Sequence, residues 1–150
     1  MAFEKEKQAA LNAVIKASKL CAGVQFKLIS EDTLQKKDRS PVTIADYGSQ
    51  AVISSVLAAE LPDDVLVGEE DSQELEQNKD MRDKVFGLVQ EQLDDITESA
   101  MLAMIARGNE ETDYNGRYWT CDPIDGTKGF LRKEQYGVAL ALVDGGEVKL

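Results

Sequence analysis

The sequence predicts an α+β domain in which a mostly antiparallel sheet packs between helices, and three observations support this class. Apolar residues recur close to helical spacing across residues 3–28. Further along, Asp144-Gly145-Gly146 separates two apolar segments as a β-hairpin turn does. With 150 residues, 43% of them hydrophobic, the chain suits one domain, residues 1–150, with a sizeable core.

The first part of the chain is predicted to hold two helices. The repeat over residues 3–28 predicts a long amphipathic helix. Residues 33–43 mix β-branched and turn-forming residues, which predicts a strand or hairpin followed by a loop. A second helix is predicted to begin at Thr43, with Asp46 three residues on, and to end before Pro62.

The middle of the chain is predicted to form a strand with acidic residues at its C-terminal end, followed by two helices. Residues 65–68 are apolar up to a glycine, so we expect a buried strand with Glu69-Glu70-Asp71 at its C-terminal end. Residues 72–80 are polar and are predicted to form a loop. Helical spacing returns over residues 81–93 and 99–107, with a break between them.

The last part of the chain predicts strands. After an acidic, glycine-containing loop at 108–116, residues 117–121 predict a strand that leads into an aspartate-rich turn. Residues 136–143 predict another strand, and the hairpin turn carries the chain into residues 147–150. Because Leu150 stands inside a strand pattern, we expect this chain to be the N-terminal part of a longer protein.

Charge and composition exclude several classes of function. The net charge of −11 disfavours binding to nucleic acid or to anionic membranes. No stretch has the apolar length of a membrane span, and the first residues do not resemble a signal or transit peptide. The two cysteines, Cys21 and Cys121, lie far apart and histidine is absent, which disfavours zinc-finger, haem and histidine-dependent sites. We expect a reduced, cytoplasmic protein, with organelle targeting left open.

The hexapeptide Asp122-Pro123-Ile124-Asp125-Gly126-Thr127 is the strongest functional signal. Proline fixes its own φ and extends the preceding residue, so Asp122 is expected at a strand end and Asp125 on the following turn. Both carboxylates can then converge on a hard divalent cation such as Mg²⁺. Gly126 and Thr127 would offer backbone N–H groups and a hydroxyl to a phosphate.

Each acid also has an ordinary structural explanation. Asp46 alone is more simply a helix N-terminal residue, and Glu69 and Glu70 suit a solvated loop. Asp-Pro and Asp-Gly are common turn dipeptides. An EF-hand is disfavoured because proline takes its second position and Lys133 stands where its last ligand should be. Taken together, acids at three predicted strand ends or helix starts favour a metal-dependent phosphoryl-transfer site.

Three segments of the chain closely resemble motifs of the inositol monophosphatase superfamily, and they occur in the same order as in that superfamily. They are residues 40–47, 68–72 and 119–130. Within that superfamily, Lys128-Gly129 and the following Phe-Leu-Arg resemble the 3′(2′),5′-bisphosphate nucleotidases, whereas simple inositol monophosphatases differ at both positions. The resemblance covers essentially the whole chain. It implies the N-terminal half of a layered αβαβα sugar-phosphatase fold.

The resemblance also implies roles for individual residues. Glu69 is similar to a carboxylate shared between metals, Asp122 to a bridging ligand, and Glu70 to a residue that supports the ligands. Asp46 and Thr127 resemble a pair that orients and deprotonates the nucleophilic water. The resemblance implies two or three Mg²⁺ ions, whose further ligands would be the Ile124 carbonyl and Asp125. The residues that contact the substrate would be Gly126, Thr127 and Lys128.

The activity that the resemblance implies is removal of the 3′-phosphate of adenosine 3′,5′-bisphosphate to give AMP, a reaction of sulfur metabolism. The sulfated analogue PAPS is a second candidate substrate. The reaction would require Mg²⁺ and be sensitive to lithium, and an absent C-terminal domain would supply another aspartate and most of the adenosine pocket. The alternatives are an inositol polyphosphate 1-phosphatase or inositol monophosphatase, and a non-catalytic fragment that binds metal or nucleotide.

Overall fold

The computed structural model describes residues 2–30 and 40–150, which form helices around a four-stranded sheet. The helices are α1 (Glu4–Ser30), α2 (Ser40–Glu60), α3 (Gln73–Gln77), α4 (Lys79–Gln92), α5 (Glu98–Ala106), a 3-10 helix (Arg107–Asn109) and α6 (Thr127–Leu131). The strands are β1 (Val65–Val67), β2 (Arg117–Asp125), β3 (Gly137–Asp144) and β4 (Glu147–Val148). In this described part of the chain, none of the helices combines the length and apolar character needed to cross a bilayer.

The sheet has the strand order β1-β2-β3-β4, with β1 parallel to β2 and the other neighbours antiparallel. Leu66 pairs with Trp119, and Trp119 pairs with Leu142. Side chains of residues paired in this way point to the same face of a sheet. All three are at most 1% exposed, so this face is the core face. The predicted α+β class with a mostly antiparallel sheet is confirmed.

Helices α1 and α2 share the core with that face of the sheet. Helix α1 buries small residues at helical spacing, Ala9, Ala13 and Ala17, each at most 2% exposed. Gly48 of α2 lies against Leu20 of α1, because a Cβ added at Gly48 would lie 3.0 Å from a Leu20 methyl carbon. Small residues therefore let the two long helices pack closely, and the long helix predicted over residues 3–28 is confirmed.

Helix α2 begins earlier than predicted, at Ser40 instead of Thr43. The strand or hairpin predicted over residues 33–43 is therefore wrong for residues 40–43, and its remaining part lies outside the described residues. Proline suits the first turn of a helix, where its missing N–H would lack a partner anyway, so Pro41 belongs to the helix. The predicted end before Pro62 is confirmed.

The polar segment 72–80, predicted as a loop, contains α3 and the start of α4. Polar contacts anchor these short turns: Asn78 caps α4 by accepting the Met81 N–H at 3.1 Å, and Tyr47 donates to Glu74 at 3.0 Å. Tertiary contacts have thus overridden a weak apolar pattern. The two helices predicted next, over 81–93 and 99–107, match α4 and α5 within two residues.

The hairpin between β3 and β4 turns at two glycines with positive φ. Gly145 has φ 62° and Gly146 has φ 77°. Two consecutive positive φ angles match the right-handed twist of the flanking strands and are unfavourable for residues with a Cβ. The predicted hairpin is confirmed.

A cluster of polar side chains around Asp64 joins α1, β2 and the connection between α2 and β1. Arg117 donates to both Asp64 carboxylate oxygens, at 2.9 and 2.7 Å, and the Trp119 indole donates at 2.8 Å. Arg117 also donates to Glu6 of α1 at 3.0 Å. Burial raises the pKa of Asp64, but these donors outweigh it and hold the pKa below its usual range. The cluster fixes the first residues of β2.

Candidate active site

A cavity of about 330 Å³ opens on the sheet face opposite the core. Thr120 pairs with both Val67 and Ala141, and Asp122 pairs with Ala139, so these side chains share that face. Glu69, which follows the end of β1, lines the same cavity. The complete lining comprises Val67, Gly68, Glu69, Thr120, Cys121, Asp122, Ala139, Leu140 and Ala141. Two of the candidate ligands, Glu69 and Asp122, therefore border one cavity.

Strand β2 is irregular where it carries the acidic motif. Asp122 pairs with Ala139 and Asp125 pairs with Gly137. The chain therefore advances by three residues on β2 while it advances by only two on β3. This is a β-bulge, one of the few places where a sheet accommodates a proline such as Pro123. The expectation that the strand ends at Asp122 and that Asp125 lies on a turn is wrong. The bulge absorbs the proline, and the strand continues to Asp125.

The turn after β2 depends on Gly126, which has φ 88° and ψ 50°. This left-handed conformation favours glycine because it has no Cβ. The chain then enters α6, whose first residues, Thr127 and Lys128, are exposed. The three candidate substrate contacts thus lie together at the start of a short helix.

Asp46 lies in the second turn of α2, six residues after its first residue. The alternative that Asp46 serves the helix N-terminus is therefore wrong. Burial raises the pKa of Asp46 to about 7, with help from the charges of Glu70, Asp122 and Glu69, while a backbone hydrogen bond with Ile124 acts in the opposite direction. A carboxyl group with a pKa near neutrality is suited to accept a proton at neutral pH.

The other acids of the site also repel one another. Burial raises the pKa values of Glu69, Glu70 and Asp122, and neighbouring carboxylates raise them further. For Glu69 the repelling charges are those of Asp122 and Asp125, and for Asp122 the repelling charge is that of Asp125. Moreover, Asp122 Oδ1 is buried and has no hydrogen-bond partner among the described residues, which is costly for a carboxylate oxygen. A divalent cation with oxygen ligands fits this donor set.

The acids do not form a complete cation site by themselves. Across residues 2–30 and 40–150, no three acidic or thiol side chains are arranged to hold one ion. In the same part of the chain, Asp46 and Thr127 share no hydrogen bond. Magnesium usually takes only a few ligands from a protein and fills its remaining positions with water and phosphate oxygens. A partial ligand set is therefore compatible with this ion.

Two buried polar residues of α2 hold the acidic segments in place, and the motifs did not predict them. Ser49 donates to the Pro123 carbonyl at 3.0 Å. The Gln50 side chain donates to the Glu70 carbonyl at 2.7 Å and accepts the Glu70 N–H at 2.9 Å. Neither residue has exposed surface. The sequence signal for them is that both fall among the buried apolar positions of α2, such as Ala45.

Gly129 is required by backbone packing. A Cβ at this position would lie 2.0 Å from the Gln135 carbonyl oxygen. The loop closes on itself here, because the Glu134 N–H donates to the Gly129 carbonyl at 2.7 Å. A larger residue needs a different path for residues 129–135.

Both cysteines are buried thiols without a disulfide bond. Burial raises the pKa of Cys21 and that of Cys121 to about 12. Because the thiolate is the reactive form, neither cysteine is suited to act as a nucleophile near neutral pH.

Comparison with known proteins agrees with the acidic motifs. The family model described as "Inositol monophosphatase family" matches residues 3–150. A 3'(2'),5'-bisphosphate nucleotidase of Schizosaccharomyces pombe is 44% identical over 161 residues, covering 98% of this chain and 46% of that protein. The 3'(2'),5'-bisphosphate nucleotidase 1 of Arabidopsis thaliana is 45% identical over 162 residues, covering 100% of this chain and 46% of that protein.

A crystal structure of inositol monophosphatase II from Staphylococcus aureus covers 89% of this chain and 38% of that chain, at 20% identity and a TM-score of 0.42. The chain spans less than half the length of the two nucleotidases, 46% of each. The family match nevertheless extends over nearly the whole chain and includes all three acidic segments. The chain therefore belongs to the inositol monophosphatase family.

Proposed function

We propose that this chain is the N-terminal, metal-binding part of a Mg²⁺-dependent phosphatase that converts adenosine 3′,5′-bisphosphate to AMP. The names of relatives at 44% and 45% identity support the substrate class. The observation that carries the metal site is Asp122 Oδ1, which is buried without a partner beside a cavity that Glu69 also lines. Because the chain covers 46% of these relatives, the activity is proposed for the whole protein.

Four groups of this chain would hold the metal ions, about two or three in number as in two-metal phosphatases and their relatives. They are the carboxylates of Glu69, Asp122 and Asp125 and the backbone carbonyl of Ile124. When bound, Mg²⁺ supplies positive charge to the phosphate and lowers the pKa of the attacking water. Glu70 supports the ligands through its place beside Glu69, and its charge adds to the pull on a cation.

Asp46 and Thr127 would handle the proton of the attacking water. Asp46 lies close enough to Glu70, Asp122 and Glu69 for their charges to act on it, so its carboxylate is placed beside the candidate ligands, where it can accept a proton. The Thr127 hydroxyl would orient the water and relay the proton. Since the two residues share no hydrogen bond in the described chain, the proposal requires them to approach each other in the substrate complex, as catalytic groups often do.

The phosphate would be bound at the turn between β2 and α6. The backbone N–H groups of Gly126 and Thr127 are at the start of α6, and Lys128 places a positive charge on the same short helix. The left-handed conformation of Gly126 sets the direction of this turn. We extend the proposal to PAPS as a second substrate and to competition between Li⁺ and Mg²⁺, as the resemblance implies.

A second candidate is a metal- or nucleotide-binding module without turnover. It is favoured by the observation that no three acids of residues 2–30 and 40–150 are arranged to hold one ion. It predicts binding of Mg²⁺ by calorimetry with no release of phosphate. An inositol phosphatase is favoured by the family name alone, and it predicts faster hydrolysis of inositol 1,4-bisphosphate than of adenosine 3′,5′-bisphosphate.

The test compares phosphate release from these two substrates by the whole protein, with and without Mg²⁺. Asp122→Ala is expected to abolish Mg²⁺-dependent release, because it removes the carboxylate whose Oδ1 atom is buried without a hydrogen-bond partner among the described residues. Its far-ultraviolet circular dichroism should be unchanged, since Asp122 lies on strand β2 and not in a helix. Asp113→Ala, in the exposed loop before β2, is the matched control and should keep full activity. Unchanged activity in Asp122→Ala would rule out the proposed site.

A further inference from the structure

The side chain of Gln50 is buried in the middle of α2, yet every hydrogen-bonding group of its amide has a partner. It has no exposed surface. Its Nε2 donates to the Glu70 carbonyl at 2.7 Å and to the Ile105 carbonyl at 3.1 Å, and its Oε1 accepts the Glu70 N–H at 2.9 Å. Burial of an amide is favourable only when its groups are paired in this way.

These contacts also determine which way the amide faces. The Glu70 N–H is a donor and must meet Oε1, while the Glu70 and Ile105 carbonyls are acceptors and must meet the two N–H groups of Nε2. The reversed orientation would place like groups against each other at all three contacts. The amide therefore has a single satisfactory orientation.

The Gln50 side chain makes the backbone hydrogen bonds with Glu70 that a neighbouring strand would otherwise make. Strand β1 ends at Val67, so the sheet does not pair with Glu70. The Gln50 amide binds both the N–H and the C=O of Glu70, as a paired strand would. Glu69, which lines the cavity, is the preceding residue, so its backbone position depends on this contact, together with the bond from the Gly68 N–H to the Gly108 carbonyl at 3.0 Å.

Two glycines make room for the Gln50 amide. A Cβ at Gly68 would lie 2.5 Å from the amide carbon and oxygen of Gln50, and a Cβ at Gly108 would lie 2.7 Å from its Nε2. Contacts under 3 Å require the amide to move. Gly68 and Gly108 are distant from Gln50 in sequence, yet both lack the Cβ that would collide with its hydrogen-bonded amide.

We propose that Gln50 is a positioning residue of the candidate active site: its amide fixes the backbone of Glu70 and so holds the Glu69 carboxylate beside Asp122. The inference rests on the proposed function, because it treats Glu69 and Asp122 as metal ligands. The two carboxylates repel each other and tend to separate, and the buried amide on α2 opposes that separation. Residues that orient metal ligands in this way typically change metal affinity by about 10- to 100-fold when they are replaced.

The first test replaces Gln50 by methionine, which has the same chain length and cannot pair with Glu70. The matched control is Ser54→Ala, also fully buried on α2, whose hydroxyl lies 4.0 Å from the Met104 sulfur. Mn²⁺ serves as a paramagnetic probe in place of Mg²⁺, and its dissociation constant is read from water-proton relaxation well below the unfolding temperature. Hydrogen exchange of the Glu70 N–H is measured in the same proteins without metal.

The expected result is Mn²⁺ binding about 10-fold weaker or more in Gln50→Met, with faster exchange at Glu70. Ser54→Ala should bind Mn²⁺ as the wild type does, whatever its thermal stability. A folded Gln50→Met protein that binds Mn²⁺ as tightly as the wild type would overturn the inference. A wild-type whole protein that binds neither Mn²⁺ nor Mg²⁺ would instead overturn the proposed function, and this inference with it.

A second pair of variants decides the matter if Gln50→Met does not fold. Gly108→Ala displaces the Gln50 amide without deleting it, because the added Cβ would lie 2.7 Å from Nε2, which is nearer than the Gly68 backbone at 3.2 Å. Gly87→Ala, in α4 with no atom within 4 Å of the added Cβ, is its control. Weaker Mn²⁺ binding in Gly108→Ala alone supports the positioning role, and equal binding in both variants contradicts it.

Discussion

At the scale of single residues, Asp64 and Asp122 show that the same side chain takes opposite roles in different surroundings. Asp64 accepts hydrogen bonds from Arg117 and Trp119, and these contacts hold its pKa below the usual range despite burial. Asp122 has a buried oxygen without a partner, and burial together with Asp125 raises its pKa. Asp64 therefore stabilises the fold. The charged form of Asp122 is instead unfavourable, and a bound cation would offset that free-energy cost.

Replacement of Asp64 by asparagine is expected to lower the free energy of unfolding by about 2 kcal/mol at pH 7, because Arg117 loses its charged acceptor. The folded pKa of Asp64 lies below the ordinary value of 3.8. Its ionisation therefore contributes stability that is fully present above this value and is lost as pH falls through the folded pKa. Urea titrations at pH 7 and about pH 3 should show the difference between variant and wild type shrinking in acid.

The neighbouring exposed residue provides the control for this experiment. Asp63→Asn should change the free energy of unfolding by less than about 0.5 kcal/mol at either pH. A loss of stability in Asp64→Asn that is equally large at both pH values would show that packing, and not the charge of Asp64, is responsible.

At the scale of elements, one stretch of α2 sets the spacing of the acidic segments. Asp46 carries a carboxylate, Ser49 binds the bulge of β2 at Pro123, and Gln50 binds the segment after β1 at Glu70. Because these residues lie within little more than one turn of a rigid helix, they fix the three acidic segments relative to one another.

Ser49→Ala is expected to destabilise the protein by about 1–3 kcal/mol, because the Pro123 carbonyl would lose its partner in a buried place. The matched control is Ser55→Ala on the same helix. The Ser55 hydroxyl donates to the Ala51 carbonyl of its own helix at 2.7 Å, so its loss should cost less than about 0.5 kcal/mol. Equal effects of the two substitutions on the urea midpoint would contradict a role for Ser49 in holding the bulge.

Gly129→Ala tests the loop that follows α6. The added Cβ would lie 2.0 Å from the Gln135 carbonyl oxygen, so backbone must move, at a cost of about 1–3 kcal/mol. Gly137→Ala, where no atom lies within 4 Å of the added Cβ, should leave the thermal midpoint nearly unchanged. If Gly129→Ala unfolds at the wild-type temperature, the glycine is not required by packing, and contact with substrate becomes the better explanation.

At the scale of the whole molecule, the net charge of −11 includes a group of acids that repel one another near the C-terminal ends of β1 and β2. Their carboxylates raise each other's pKa values, so the folded chain carries an electrostatic cost that the unfolded chain avoids. Binding of a cation would offset part of this cost, and stability should therefore depend on Mg²⁺.

Addition of Mg²⁺ at ten times its dissociation constant should stabilise the wild type by about 1.4 kcal/mol, or roughly 3–5 °C for a domain of this size. Asp122→Asn should be more stable than the wild type without Mg²⁺, because one repelling charge is gone, and should lose most of the Mg²⁺-dependent shift. Thermal unfolding at constant ionic strength, maintained with choline chloride, measures both effects. Equal Mg²⁺ shifts in the two proteins would exclude Asp122 as a ligand.

Local patterns predicted much of the fold and the place of the acidic segments. The apolar repeat of α1, the two-glycine turn between β3 and β4, and the short strand before Glu69 are signals contained within short stretches of chain. Such signals are readable because helix, strand and turn each impose their own spacing or backbone conformation. The start of α2, the helix α3 and the continuation of β2 to Asp125 were not predicted, because tertiary contacts and sheet pairing decide them.

By itself, the sequence determined the family, the classes of secondary structure and the carboxylates available for a metal site, because these depend on residue types at short spacing. Only the tertiary structure decided how those carboxylates are held. Ser49 reaches Pro123 across 74 residues and Gln50 reaches Glu70 across 20, and no local pattern reports such contacts. The physical reason is that a buried polar group must find a partner wherever the packed chain supplies one, so its role is defined only after the elements have come together.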